Sequence, residues 1–120
     1  MAYNAGEHGT TAMTDLYLGE FEQVVLLAIL RLGDEAYAIP IREEIAARTG
    51  RSVARGALYT ALDRLETKKY LRSRMSEPVA ARGGRSRRYF TVTPVGLAAL
   101  RGSRRALLQL WNGLERLLES

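Results

Sequence analysis

Apolar residues in this chain fall at helical spacing as far as Tyr70, alternate from there to about Val92, and return to helical spacing after Pro94. Such a change of period from 3.6 to 2 and back admits few folds, because each period commits its segment to one kind of element. The first helix is predicted to begin near Leu18. Phe21, Val25, Ile29 and Leu32 share one face, and Val24, Leu27 and Leu30 occupy much of the remainder. Apolar residues on more than one side predict burial on more than one side. In a chain of 120 residues the second burial surface is expected to belong to another subunit. Gly33 and Asp34 end this helix.

A second helix is predicted over 38–49. Pro40 falls in its first turn, where a missing N–H does no harm, and Gly50 suits a left-handed stop. Ile41 and Ile45 are its buried pair, with Glu43, Glu44 and Arg48 outward. The third helix should run from about Ala54 to Lys69. Its core stripe is Leu58, Leu62 and Leu65; Arg55, Tyr59 and Asp63 lie opposite, beside Gly56 and Thr60. Three short helices with a tight turn between the last two make a helix-turn-helix.

Beyond Tyr70, Leu71, Ser73 and Met75 alternate with Arg72, Arg74 and Ser76, which predicts a strand to about Val79. Residues 80–86 read as a flexible basic loop, and alternation resumes with Tyr89, Phe90, Thr91 and Val92. Thr93 followed by Pro94 is a helix start, an N-cap residue before a proline. This last helix is expected to reach Leu118, about 37 Å away. Leu100, Leu107 and Leu114 repeat along it every seven residues, with Trp111 and Leu118 on the adjoining strip. Gly102 and Gly113 each weaken it by about 1 kcal/mol. A long striped helix outside a closed three-helix body needs something to lie against, and a second copy is the natural partner.

The fold class expected is therefore mainly α (α+β): a winged helix-turn-helix with a two-stranded β wing and a long C-terminal dimerisation helix. Residues 1–15 would be a flexible N-terminal arm, 16–93 the winged-helix DNA-binding domain and 94–120 the dimerisation helix.

The net charge of +5 is unevenly placed. Residues 1–50 carry three basic and eight acidic side chains, whereas residues 51–88 carry eleven basic and three acidic. Segregation of this kind fits a polyanionic partner, although arginine-rich solvated faces also produce it. The absence of cysteine removes disulfides, thiolate metal sites and cysteine nucleophiles, and a reducing cytoplasm is the simplest compartment. No secretory signal and no membrane span are read in the sequence. His8 stands alone in the arm, and Asp34-Glu35 and Glu43-Glu44 are helix-end and surface carboxylates. No catalysis, metal or cofactor is expected. Lys68 and Lys69 read as the basic end of the third helix, where they suit its dipole.

The segments RGALYTALDRLETKKYL (55–71) and GGRSRRYFTVTPVGLAAL (83–100) resemble the PadR-like transcriptional regulators. The first is similar to the family's recognition helix, with its Gly-x-Leu-Tyr start and Arg-Leu-Glu end. The second is similar to its wing strand, leading through Thr-Pro-x-Gly into the dimerisation helix. The likeness spans roughly Leu18 to Leu100 and continues more loosely beyond, as in the smaller branch of the family with a single C-terminal helix. Two departures are Ala38, where glycine is usual after Tyr37, and Ala57, where a hydroxyl is common.

The resemblance implies that Ser52, Arg55, Gly56, Tyr59 and Thr60 face double-stranded DNA, with Arg82, Arg85, Arg87 and Arg88 as wing cations. Tyr59 would bond a phosphate, or else pack against the wing. A dimer interface would include Val24, Leu27, Leu100, Leu107, Trp111, Leu114 and Leu118. Trp111 is by default interface core; a planar aromatic effector stacking on it is the sharper alternative. The function expected is a homodimeric, sequence-specific regulator, a repressor on a palindromic operator, released by a small aromatic effector if one exists. Two rivals stand beside it: a winged helix used for protein–protein contact, and an enzyme subunit whose site forms only at a dimer interface. A single isolated His, no Cys and no clustered carboxylates oppose the last.

Overall fold

The computed structural model describes residues 18–78 and 83–119. The arm expected at 1–15, with His8, lies outside them, and so does Arg82.

Helix α1 (Glu20–Leu32) starts two residues later than the spacing suggests. Its first turn is closed by the Glu22 carboxylate, which accepts from the Gly19 N–H at 2.9 Å. Gly33 ends it at φ 60, and a short 3-10 turn, Gly33–Glu35, follows. Helix α2 (Ala38–Thr49) has the predicted bounds; Gly50 takes the left-handed conformation at φ 72 and its N–H bonds the Ala46 carbonyl. Helix α3 (Arg55–Thr67) is followed by Lys69 at φ 69, a left-handed non-glycine residue that reverses the chain into the sheet.

Strand β1 (Leu71–Met75) pairs antiparallel with β2 (Arg88–Val92), placing Leu71 opposite Val92, Ser73 opposite Phe90 and Met75 opposite Arg88. The strand expected to reach Val79 stops at Met75, which is already exposed. Among the described residues of the hairpin, only Leu71 and Phe90 are fully in the core, so alternation loses its meaning beyond them. The Phe90 N–H bonds the Ala36 carbonyl at 2.9 Å and ties the wing to the segment before α2.

Val25, Leu26 and Ile29 of α1, Ile41 and Ile45 of α2, and Leu58, Leu62 and Leu65 of α3 make the centre of the core. Leu26 lies outside the predicted face of α1. It is buried because α1 packs against α2, α3 and β2 at once. Leu27 and Leu30, on the remaining side, are exposed.

Helix α4 (Pro94–Trp111) is joined to this body by a tight junction. The Thr93 hydroxyl accepts from the Gly96 N–H at 3.0 Å and donates to the Lys69 carbonyl at 2.6 Å. A Cβ on Gly96 would lie 2.3 Å from the Tyr70 carbonyl oxygen, so only glycine allows the helix this close. Leu100 is 7% exposed and belongs to the protomer's own core, leaving it little surface for the dimer contact expected of it.

The expected course of the last helix to Leu118 is corrected. It ends at Trp111, Gly113 takes φ 86, and a 3-10 turn spans Glu115–Leu118. The Gly113 N–H bonds the Glu115 carboxylate at 3.0 Å, which satisfies the reversal locally. Leu114 therefore leaves the seven-residue stripe of α4, and Leu118 leaves the adjoining strip.

Candidate nucleic-acid interface

Helix α3 turns its leucines inward and presents Arg55, Gly56 and Thr60 to the outside. Tyr59 is half-buried, packed against the core from the same face. Among the described residues no side chain caps the first turn of α3, and none of its first-turn residues is acidic, which leaves its amide donors and positive dipole end to an anion. The turn before it is held by Arg42, whose Nε donates to the Val53 carbonyl at 2.9 Å.

One groove of about 730 Å³ gathers Arg55 and Tyr59 of α3, Arg85, Arg87 and Arg88 of the wing, and Tyr37, Ile39 and Arg42 of the α2 region. Five of the nine predicted DNA-facing residues thus meet on one concave surface. Gly56 and Thr60 lie exposed on α3, and Ser52 lies in a neighbouring hollow with Ile39 and Arg42.

The wing cations are not equivalent. Arg88 bonds Glu66 and, at 3.2 Å, Asp63, both on α3, and Glu66 also accepts from the Ser73 hydroxyl at 2.8 Å. The Ser73 bond, joined by Arg88, holds the Glu66 carboxyl below the usual range against the opposing effect of burial. Burial acts to lower the Arg88 pKa, but its bonds to Glu66 and Asp63 outweigh this and leave it raised. Arg88 is therefore a strut between the wing and α3. Arg87 lies 4.2 Å from the Tyr37 ring centroid, and a hydrogen bond to Tyr89 raises its pKa foremost.

Sequence reasoning passes over Tyr37, Arg42 and Arg74. Tyr37 and Arg42 sit in the acidic part of the chain, where charge counting gives no signal, and Arg74 reads only as the outer side of a strand. Lys68 reads in the sequence as a dipole-compensating helix end. Its Nζ instead reaches both oxygens of Glu22, at 3.1 and 3.0 Å, in a pair with little exposure on either side. Glu22 is the buried charged residue of the described core, and Lys68 joins α1 to the end of α3.

Among the described residues no cluster of three or more His, Asp or Glu could hold a metal, and no helix is long and apolar enough to cross a membrane.

Several solved structures share this architecture. A PadR family transcriptional regulator from Eggerthella lenta is 25% identical, with 98% of this chain and 99% of that one covered and a TM-score of 0.62. A PadR-like transcription factor from Bacteroides fragilis is 23% identical, with 92% and 99% covered and a TM-score of 0.66. A transcriptional regulator from Clostridium thermocellum is 19% identical, with 91% and 99% covered and a TM-score of 0.65. No protein of curated function matches the sequence. The pattern of the transcriptional regulator PadR-like family matches residues 26–102, well over half of the chain, from within α1 through α2, α3 and the wing to the first half of α4. The chain belongs to the PadR-like family, whose members are DNA-binding regulators of transcription and not enzymes.

Proposed function

We propose that this protein is a cytoplasmic repressor that binds an imperfect palindrome as a homodimer. The observation that carries the reading is the shared groove in which Arg55 and Tyr59 of α3 meet Arg85 and Arg87 of the wing. A helix fits the major groove, and Arg55 would read a guanine edge or hold a phosphate there. Ser52, Gly56 and Thr60 border the same face; Arg82 would extend the wing. Arg88, already paired to α3, would set the wing's angle more than it would touch DNA.

Dimerisation through α1 and α4 is supported by apolar surface the protomer leaves open. Leu27 and Leu30 of α1 share a hollow of about 430 Å³ with Leu107, Leu108 and Trp111 of α4. Leu114 and Leu118 are exposed past the end of the helix, and Val24 of α1 is partly buried against the core. Two copies would place the α3 helices about 34–36 Å apart, one turn of DNA. A planar aromatic effector stacking on Trp111 in this hollow would release DNA by preferring a different dimer geometry.

The test is fluorescence anisotropy on DNA upstream of the protein's own gene against a scrambled duplex, across a salt series. At least about a thousandfold preference for the upstream sequence is expected, lost on Arg55→Ala and reduced on Tyr59→Phe. Equal binding of both duplexes would reduce the surface to an electrostatic anchor. No binding at low salt would favour the protein-contact reading. Unchanged Trp111 fluorescence across a panel of planar aromatics would remove the effector.

A further inference from the structure

Four side chains at the root of the wing form an unbroken series of contacts. The Arg87 guanidinium carbon lies 4.2 Å from the Tyr37 ring centroid. The Tyr37 and Tyr89 rings are 5.3 Å apart and tilted by 59°. Arg74 lies 4.6 Å from the Tyr89 ring. Arg74 and Tyr89 are cross-strand partners in the hairpin, and Tyr37 is the N-cap residue of α2, so the series links three segments of the chain.

Neither tyrosine belongs to the buried core, so the ladder is not explained by core packing. Its two cations also differ from their neighbour. Arg88 uses its donors on Asp63 and Glu66, whereas neither Arg74 nor Arg87 is in an ion pair among the described residues. Glu35 acts on Arg87 only at longer range. Arg87 spends one donor on Tyr89; a guanidinium held against a ring keeps its remaining N–H donors for an anion and has less rotamer freedom to lose on binding. Such an arrangement fits a phosphodiester, which needs fixed donors of positive charge and offers no sequence information in return.

We propose that Arg74 and Arg87, held by Tyr89 and Tyr37, form a clamp for DNA backbone phosphates that anchors the wing independently of sequence. The clamp rests on the DNA-binding reading above and adds Arg74 as a contact, with Tyr37 and Tyr89 as positioning residues. The experiment measures binding to a random-sequence 24-base-pair duplex and to the upstream duplex across a salt series. Arg74→Ala, Tyr37→Leu and Tyr37→Phe are compared with the unmodified protein and with Arg55→Ala. Arg74→Ala should weaken both duplexes alike and reduce the slope of log affinity against log salt by about 0.9 for each phosphate that is no longer neutralised. Tyr37→Leu should do the same through Arg87, and Tyr37→Phe, which keeps the ring, should restore most of the binding. Thermal melts check that the variants fold; Arg74 is exposed, so its removal keeps the test open even if Tyr37→Leu does not fold.

An unchanged salt slope for Arg74→Ala, beside normal binding by the unmodified protein, overturns the clamp and leaves the DNA-binding reading intact. A loss confined to the upstream duplex overturns it too, since that would be base readout. Failure of the unmodified protein to bind either duplex removes both readings together.

Discussion

The helix-turn-helix body and the C-terminal limb are built from the same kind of residue and meet opposite fates. Leu58, Leu62 and Leu65 on α3 are wholly buried, whereas Leu107 and Leu108 on α4 are nearly half exposed, Leu110 well over half, and Leu117 beyond it more so still. Both helices carry leucine at helical spacing. The difference is what stands opposite. Helix α3 meets α1, α2 and β1, while α4 packs on α1 and β2 and has its buried residues, Gly96 and Leu100, in its first half. Spacing tells which residues share a face and leaves open what covers it.

Truncating one leucine from each region should separate their fates most widely. Leu62→Ala should cost about 2–5 kcal/mol in urea denaturation, because the cavity it leaves is closed on all sides. Leu110→Ala, at a residue 74% exposed, should cost less than about 0.5 kcal/mol in dilute protein. At high concentration that loss should grow if a second copy covers α4. A small loss independent of concentration would show that nothing covers Leu110.

Two glycines on the same helix give the next contrast. Gly96→Ala drives a methyl group into the Tyr70 carbonyl oxygen and should destabilise by about 1–3 kcal/mol. Gly102→Ala meets nothing within 4 Å and should stabilise the isolated protomer by about 1 kcal/mol. A loss of dimer on Gly102→Ala, read by sedimentation, would place that side of α4 at the subunit contact.

Lys68→Met probes how the body is tied together. It leaves the Glu22 carboxylate buried with the Gly19 N–H as a remaining donor and should cost about 2 kcal/mol in the same assay. Adding Glu22→Gln should recover part of the loss, and additive losses would mean that the two residues do not act as a pair.

The smallest effect concerns pH. Glu66 is held below the ordinary carboxylate range, chiefly by Ser73 and then by Arg88, so its contribution is present above about pH 4.3, the ordinary glutamate value, and is lost as pH falls through the lower folded value. The side chain is one-third exposed and solvent screens the pair, so the gain is less than about 1 kcal/mol. Glu66→Gln should flatten the acid limb of the urea midpoint between pH 3 and 6 by that amount. An unchanged acid limb would show that the wing is not held to α3 by this carboxylate.

Much of the fold was legible because local chemistry and burial agree. Ile41 and Ile45, bracketed by Pro40 and Gly50, define α2 to the residue, and Thr93-Pro94 marks the start of α4. Leu26 was not legible, since a single helical face cannot announce that a helix is enclosed on several sides. The candidate interface was readable on α3 and in the wing arginines, where charge density speaks. Tyr37 and Arg42 were silent, because their roles arise from segments brought together by folding.

Element order, the register of apolar faces and the concentration of positive charge from Arg51 onward are written in the sequence, since each depends on neighbours a few residues apart. Three further matters were settled only by packing. It assigned Arg88 to the α3 carboxylates and left Arg87 on an aromatic ring. It gave Lys68 a buried partner in Glu22, remote in sequence. It also drew Leu100 of α4 into the protomer's own core while leaving Leu107 on the same helix about half exposed. Pairing and burial of this kind depend on distances between atoms, which become fixed only when the elements pack.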